Sequence, residues 1–228
     1  MDGTSIRLVT PCGPPDEDCL SVNLDALRAA GFDIRYEASQ RTTFGRLELD
    51  GARERAAELQ DALEAPGAET ILCARGGYGA SDLLHLLDWD RLAEATPKCL
   101  IGFSDVCALQ SAVFTKLGWP SLHAPMPGSP LWRAGEATDR LIHLLRAPSE
   151  VTWSGKIDLE GISRTADEVS GQLFGGCLSV LSGLIGTPYL PNRLRGKLLF
   201  FEDTGESAPR LLRYWRQWLD SGLLESVT

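Results

Sequence analysis

The first half of the chain alternates short apolar runs with segments in which apolar residues recur every three or four positions. The apolar runs predict strands at 6–10, 32–36, 70–74, 99–103 and 121–124. The helical spacing predicts helices over 20–27, 52–63, 80–87 and 105–117. Strands that alternate with helices across short turns indicate an α/β fold with a mostly parallel sheet covered by helices. Functional loops then belong at the carboxyl ends of the strands.

The character of the chain changes after Ala124, where prolines and glycines become frequent. We predict an N-terminal α/β domain over 1–146, a linker over 147–169 and a partial C-terminal domain over 170–228. A short helix over 137–146 closes the first domain. The last domain is predicted to contain an apolar helix opened by Gly175-Gly176, a strand at 197–201, and a helix with Leu211, Trp215 and Leu219 at helical spacing.

Composition excludes several classes of function. The net charge of −9, with no run of basic residues, argues against a broad nucleic-acid interface. The N-terminus has no apolar signal segment, and no apolar stretch reaches the length of a membrane span, so we expect a cytoplasmic protein. Six widely spaced cysteines form no C-x-x-C pair and are expected to be reduced thiols, and the three histidines show no metal-ligand spacing.

Gly102-Phe103-Ser104-Asp105 joins a predicted strand to a predicted helix. A sharp strand-to-helix turn can expose a serine hydroxyl beside the N–H groups of the helix start, as in serine hydrolases. Ser and Asp are also preferred helix N-caps, so the same residues could serve only to start the helix.

The segment Arg75-Gly76-Gly77-Tyr78-Gly79 follows another strand and precedes a helix. Its glycines could let backbone N–H groups approach a negative oxygen, either a phosphate or the oxyanion of a serine hydrolase. The spacing matches neither G-x-G-x-x-G nor the P-loop. A tight turn without chemical function is the third interpretation.

Glu202 ends a strongly apolar strand. It could orient a catalytic histidine, as the third member of a triad does, or share a metal site with Asp203 and Glu206. It could also be a solvated strand end. His123 follows a strand and could face a ligand or simply pack in a turn.

Taken together, these motifs resemble the LD-carboxypeptidase family of serine peptidases, whose relatives include the microcin C self-immunity hydrolases. The matching segments occur in the family's order and cover nearly the whole chain. They are Val9-Thr10-Pro11, Cys73–Gly79, Pro97-Lys98, Ile101–Asp105, Leu122–Pro125, Gly175-Gly176 and Phe201-Glu202-Asp203.

The resemblance implies a flavodoxin-like N-terminal domain, a smaller C-terminal domain and a homodimer without metal or organic cofactor. It implies hydrolysis of the bond to a terminal D-alanine in cytoplasmic murein tetrapeptides, during cell-wall recycling. The implied roles are Ser104 as nucleophile, Glu202 as the acid of a Ser-His-Glu triad, backbone N–H groups of Gly77 and Asp105 as the oxyanion hole, and Arg75, Gly76 and Tyr78 as substrate-binding residues.

Two departures from the family stand out. Cys177 replaces an asparagine that usually follows the Gly-Gly pair. The family's catalytic histidine lies well beyond the glutamate, whereas His143 is the last histidine here and none of the three matches that motif. We therefore expect the segment that carries this histidine to be missing. The alternatives are a catalytically impaired peptide-binding homologue, a microcin C-like peptidyl-nucleotide hydrolase and a nucleotide-binding domain.

Overall fold

A five-stranded parallel sheet forms the centre of the protein. The computed structural model describes residues 5–36, 49–67, 69–132, 135–146 and 170–226. The strands are β1 (Ser5–Val9), β2 (Asp33–Arg35), β3 (Thr70–Cys73), β4 (Cys99–Gly102) and β5 (Ser121–His123). Their spatial order is β2-β1-β3-β4-β5, and all four pairings are parallel. This is the flavodoxin-like order, so the predicted α/β fold is confirmed.

Helices cover both faces of this sheet. They are α1 (Glu17–Ala29), α2 (Leu49–Glu64), α3 (Ala80–Leu83), α4 (Trp89–Glu94), α5 (Cys107–Leu117) and α6 (Glu136–Arg146). Residues of α1 and α6 belong to one apolar core, and residues of α2 to α5 belong to the other. Burial of the predicted apolar stripes, such as Leu20, Leu24 and Leu27 of α1, stabilises both layers.

A second, two-stranded parallel sheet follows. It contains β6 (Gln172–Cys177) and β7 (Lys197–Glu202), joined through the short helix α7 (Leu178–Ser182). After β7 come α8 (Ala208–Asp220) and a 3₁₀ turn at Leu223–Ser226. Phe174, Leu181 and Trp218 belong to the same apolar core as α5, so this sheet packs directly on the first unit. The predicted linker, 147–169, lies outside the described residues, and the domain boundaries stay a prediction.

The predicted helix over 80–87 is wrong in length. Helix α3 ends at Leu83, where the N–H groups of Leu86 and Leu87 both turn back to the Leu83 carbonyl. A separate helix, α4, begins after Asp88, whose carboxylate accepts a hydrogen bond from the Arg91 N–H. An N-cap of this kind starts a new helix.

The prediction that Gly175 and Gly176 open a helix is also wrong. Both glycines lie in β6, opposite Phe200 and Phe201 of β7, and helix α7 begins only at Leu178. Strand pairing with a segment some twenty-five residues later decides this conformation, and no local signal reveals such a partner.

The fully buried aromatic residue of α8 is Trp218 rather than a member of the predicted set. Trp215 and Leu219 are 42% and 45% exposed, whereas Trp218 is fully buried and its indole Nε1 donates to Ser182 Oγ at 2.9 Å. Within the described ranges, none of the helices is long and apolar enough to cross a membrane.

We expect Trp218→Ala to lower the free energy of unfolding by about 3–5 kcal/mol, because it leaves a large cavity in the shared core. Urea denaturation would measure the change. The control is Leu212→Ala on the same helix, where a side chain 67% exposed should change stability by no more than about 0.5 kcal/mol. Equal effects of the two substitutions would contradict this role of Trp218.

Candidate active site

Ser104 lies at the end of β4 in a strained backbone conformation. Its φ is +61°, and it is the one non-glycine residue with positive φ within the described ranges. A 3₁₀ turn, Ser104–Val106, leads directly from this position into α5. A left-handed conformation costs a non-glycine residue about 1–3 kcal/mol and persists only where the surroundings impose it. Strain at a strand-to-helix turn is typical of exposed serine nucleophiles.

The helix-cap interpretation of this segment is wrong. Ser104 lies inside the 3₁₀ turn, and the N-cap positions of the turn and of α5 are Phe103 and Val106, which make no side-chain capping bond. The Asp105 carboxylate points to a different helix instead, as described below. The unusual backbone at Ser104 therefore has no role in local helix capping.

The glycine loop lies against Ser104, as the oxyanion-hole interpretation requires. A Cβ atom added to Gly76 would come within 3.0 Å of Ser104 Cβ and 3.2 Å of Ser104 Oγ. The Gly76 carbonyl accepts a hydrogen bond from the Gly13 N–H at 3.0 Å, which fixes the loop from the β1 side. Gly77, the next residue, is exposed and has a φ of +114° that other residues rarely adopt.

Asp105 connects the serine turn to the glycine loop. Its Oδ2 accepts a hydrogen bond from the Ala80 N–H at 2.9 Å, at the start of α3. Burial raises the pKa of this carboxyl group, although the bonds that it accepts from the Ala80 N–H and from the Cys12 thiol favour its charged form. The buried Asp105 side chain thus joins the segment after β3 to the turn after β4.

The other loop residues lie toward solvent. Arg75 donates from Nη1 to the Pro14 carbonyl at 2.8 Å, which joins the β3 loop to the β1 loop. Tyr78 is 68% exposed, so its ring projects from the rim of the loop. Loops from β1, β3 and β4 therefore meet at the carboxyl edge of the sheet, where open α/β sheets bind ligands.

Glu202 contacts His123 on another side of the serine turn. His123, at the end of β5, is the register partner of Gly102, and its Nε2 lies 3.6 Å from Glu202 Oε1. Its Nδ1 lies 3.7 Å from Cys107 Sγ, one helical turn after Ser104.

The rings of Phe103 and Phe200 meet the imidazole edge-on. Both ring nitrogens of His123 therefore face groups other than Ser104.

Burial controls the charge of this cluster. It raises the pKa of the Cys107 thiol to about 12 and lowers the pKa of His123. It also raises the pKa of Glu202, and the neighbouring Asp203 adds to that shift. The thiol is therefore protonated at neutral pH, and Cys107 is a poor nucleophile.

The predicted alternative of a metal site from Glu202, Asp203 and Glu206 is wrong. Asp203 Oδ2 accepts from the Ser179 N–H at 2.8 Å, and Glu206 pairs with Arg210 at 2.6 Å. Glu202 is only partly solvated, because its Oε1 is buried although the side chain as a whole is 36% exposed. All six cysteines are free thiols, four of them buried.

Cys107 is the residue that the sequence interpretation missed. Cys107 lies three residues after Ser104, on the first turn of α5, and faces β5 and β6. Its contact with His123 and the hydrogen bond it accepts from the Cys177 N–H arise only from the packing of those strands on α5.

Comparison with known proteins defines the class. Residues 6–124 match the LD-carboxypeptidase N-terminal domain, and residues 170–228 match the LD-carboxypeptidase C-terminal domain. The chain belongs to the LD-carboxypeptidase family.

Among its relatives, a putative carboxypeptidase of Streptomyces coelicolor is 38% identical, over 99% of this chain and 73% of that protein. The murein tetrapeptide carboxypeptidase of Pseudomonas aeruginosa is 33% identical, over 97% of this chain and 73% of that protein. The muramoyltetrapeptide carboxypeptidase structure from Oxalobacter formigenes superposes with a TM-score of 0.79 at 27% identity, covering 98% of this chain and 74% of that one. The microcin self-immunity protein MccF, bound to glutamyl sulfamoyl guanosine, shares the fold, with a TM-score of 0.80 at 20% identity over 100% and 76% of the chains.

The raised pKa of Asp105 predicts a pH dependence of stability. Just above the ordinary value of 3.8, the native state retains a proton that the unfolded chain has released. Stability therefore falls as pH rises from about 4 through the native pKa, by linkage. We expect Asp105→Asn, which keeps an oxygen to accept from Ala80, to remove this part of the slope. Urea denaturation of both proteins across this range would measure it, and a constant difference between them would contradict it.

Proposed function

We propose that this protein is a serine-type LD-carboxypeptidase that releases the terminal D-amino acid from cytoplasmic murein tetrapeptides during cell-wall recycling. The observation that carries the proposal is the left-handed Ser104 at the end of β4, with its side chain against Gly76 of the glycine loop. Murein peptides are favoured because relatives at 33% and 27% identity are named murein peptide carboxypeptidases. The homodimer implied by the resemblance stays a prediction.

In this mechanism Ser104 Oγ attacks the carbonyl carbon that precedes the terminal D-residue. The backbone N–H groups of Gly77 and Asp105 stabilise the negative charge that develops on the carbonyl oxygen. The C–N bond then breaks, the D-amino acid leaves with a proton on its nitrogen, and water hydrolyses the acyl-enzyme. The buried Ala80–Asp105 hydrogen bond supports this geometry by holding both loops together.

Substrate selection is assigned to the rim of the glycine loop. A carboxypeptidase must recognise a free terminal carboxylate, and a guanidinium group binds carboxylates through two parallel hydrogen bonds. Arg75 supplies such a group beside the loop, where its bond to the Pro14 carbonyl restricts its position. The exposed ring of Tyr78 offers an apolar surface next to it. Gly76, which has no side chain, leaves room for the Ser104 side chain beside the loop.

The serine needs a base to accept its proton. His123 is the histidine that contacts Glu202, but its nitrogens face Glu202 and Cys107. We therefore assign Glu202 to orienting a histidine at the family's position rather than assigning His123 as the base. Imidazole in solution can replace such a group, which provides a direct test.

We expect imidazole to accelerate D-alanine release from a murein tetrapeptide by this chain, and Ser104→Ala to lower the imidazole-dependent rate by at least about a hundredfold. A coupled D-amino acid oxidase assay would measure release, and a fluorophosphonate probe would label Ser104 in the parent chain. The matched control is Ser179→Ala on α7, away from the glycine loop, which should keep the parent rate.

Equal rates in the parent and Ser104→Ala would contradict the mechanism. Calorimetric binding of the tetrapeptide without any release, with or without imidazole, would favour the peptide-binding alternative. The observation behind that alternative is that His123, the histidine near Glu202, faces Glu202 and Cys107 rather than Ser104.

Gly76→Ala provides a second test of the glycine loop. The added methyl group would lie 3.0–3.2 Å from the Ser104 side chain and 3.3 Å from Met126 Cε, so the loop or the serine must move. Because a small misplacement of a catalytic group can cost about a hundredfold in rate, we expect a large loss in kcat with a smaller change in melting temperature. Steady-state kinetics and thermal melting would separate these effects. Full activity in Gly76→Ala would contradict the assigned contact.

A further inference from the structure

Three side chains of different elements converge beneath the serine turn. Cys107 comes from the first turn of α5, His123 from the end of β5 and Glu202 from the end of β7. The sulfur, one imidazole nitrogen and one carboxylate oxygen all lie within 4.8 Å of one another. The three residues are far apart in the sequence, since 16 positions separate Cys107 from His123 and 79 separate His123 from Glu202.

A thiolate, an imidazole and a carboxylate form a donor set typical of zinc sites. In a tetrahedral site with ordinary zinc–ligand bond lengths, neighbouring donors lie about 3.4–3.6 Å apart. The observed separations are 3.7 Å between Cys107 Sγ and His123 Nδ1, and 3.6 Å between His123 Nε2 and Glu202 Oε1. These two separations involve different nitrogens of the imidazole, and a single ion would use only one of them. With one donor atom per residue, the three atoms lie within 4.8 Å of one another, so the imidazole and the Glu202 side chain must move closer together to hold an ion.

The Glu202 carboxylate is the least satisfied member of the cluster. Its Oε1 is buried and has no hydrogen-bond partner, and the imidazole nitrogen nearest to it is too distant for a hydrogen bond. A buried oxygen without a hydrogen-bond partner is unfavourable. A bound cation would satisfy this oxygen.

The surroundings also suit a metal-bound sulfur. The Cys177 N–H donates to Cys107 Sγ at 3.3 Å, a bond that a metal-bound sulfur can keep. The sulfur is buried at the base of the cluster, whereas the side chains of His123 and Glu202 are 27% and 36% exposed. An ion could therefore enter from the side of the histidine and the glutamate.

We propose that Cys107, His123 and Glu202 bind one zinc ion, with water in the fourth position. Zinc is favoured over magnesium or calcium because those ions select sites made wholly of oxygen donors. The site is distinct from the serine and glycine-loop pair, and metal binding does not depend on hydrolysis. If Glu202 also serves the serine as proposed above, zinc withdraws that carboxylate and inhibits the enzyme.

The test uses the whole chain, treated with chelator and reductant, and measures metal occupancy rather than hydrolysis. Calorimetric titration with zinc should give one ion per chain. Titration with cobalt should give a thiolate-to-cobalt charge-transfer band, which identifies a sulfur ligand. Cys107→Ser should remove that band, and Glu202→Gln and His123→Ala should each weaken zinc binding at least about tenfold.

Matched controls are Cys19→Ser and Glu206→Gln, which change a half-exposed thiol and an ion-paired carboxylate outside the cluster. Both should bind zinc like the parent chain. Glu202→Gln keeps the side-chain shape at a partly exposed position, so it tests the site even if Cys107→Ser fails to fold. Absence of stoichiometric zinc binding, or binding that Glu202→Gln leaves unchanged, would overturn the proposal. Failure of the serine mechanism alone would leave these results unaffected.

Discussion

The buried hydrogen bond from the Ala80 N–H to the Asp105 carboxylate is the interaction on which the site depends. It joins the loop after β3 to the turn after β4, and these two segments carry all the groups proposed to act on a substrate carbonyl. Burying a carboxyl group has an energetic cost, seen in its raised pKa, and left-handed Ser104 beside it adds backbone strain. Two unfavourable features at adjacent residues are typical of a site held in place by the rest of the fold.

The fold provides that support because five parallel strands end at one edge of a doubly covered sheet. Gly13, in the loop after β1, and Gly76, in the loop after β3, are joined by a backbone hydrogen bond. The second sheet then packs on α5, which begins at the serine turn, and places Glu202 near His123. The shared apolar core therefore connects the serine turn with the Cys107–His123–Glu202 cluster, so displacement of the second sheet would disturb both.

Much of the architecture could be predicted from local pattern. The strands and most helices follow hydrophobic periodicity, and glycine or aspartate residues mark several of their ends. The errors have physical causes. Helix α3 ends in a turn at Leu83 and Asp88 caps a separate helix, whereas Gly175-Gly176 is extended because β7 pairs with it. In α8, Trp218 rather than Trp215 is buried, because Trp218 lies on the side of the helix that faces Ser182 of α7. The last two outcomes depend on a partner outside the local window.

The sequence by itself determined the α/β class, the family resemblance and the prediction that Ser104 and the glycine loop belong to one site. These follow from local patterns, since strand-to-helix turns and glycine-rich loops are encoded by adjacent residues. Only the tertiary structure decided that Asp105 binds the neighbouring loop instead of capping its own helix, and that His123 faces Cys107 and Glu202. Such contacts are made by residues far apart in the chain, and they form only when the strands pair and the cores pack.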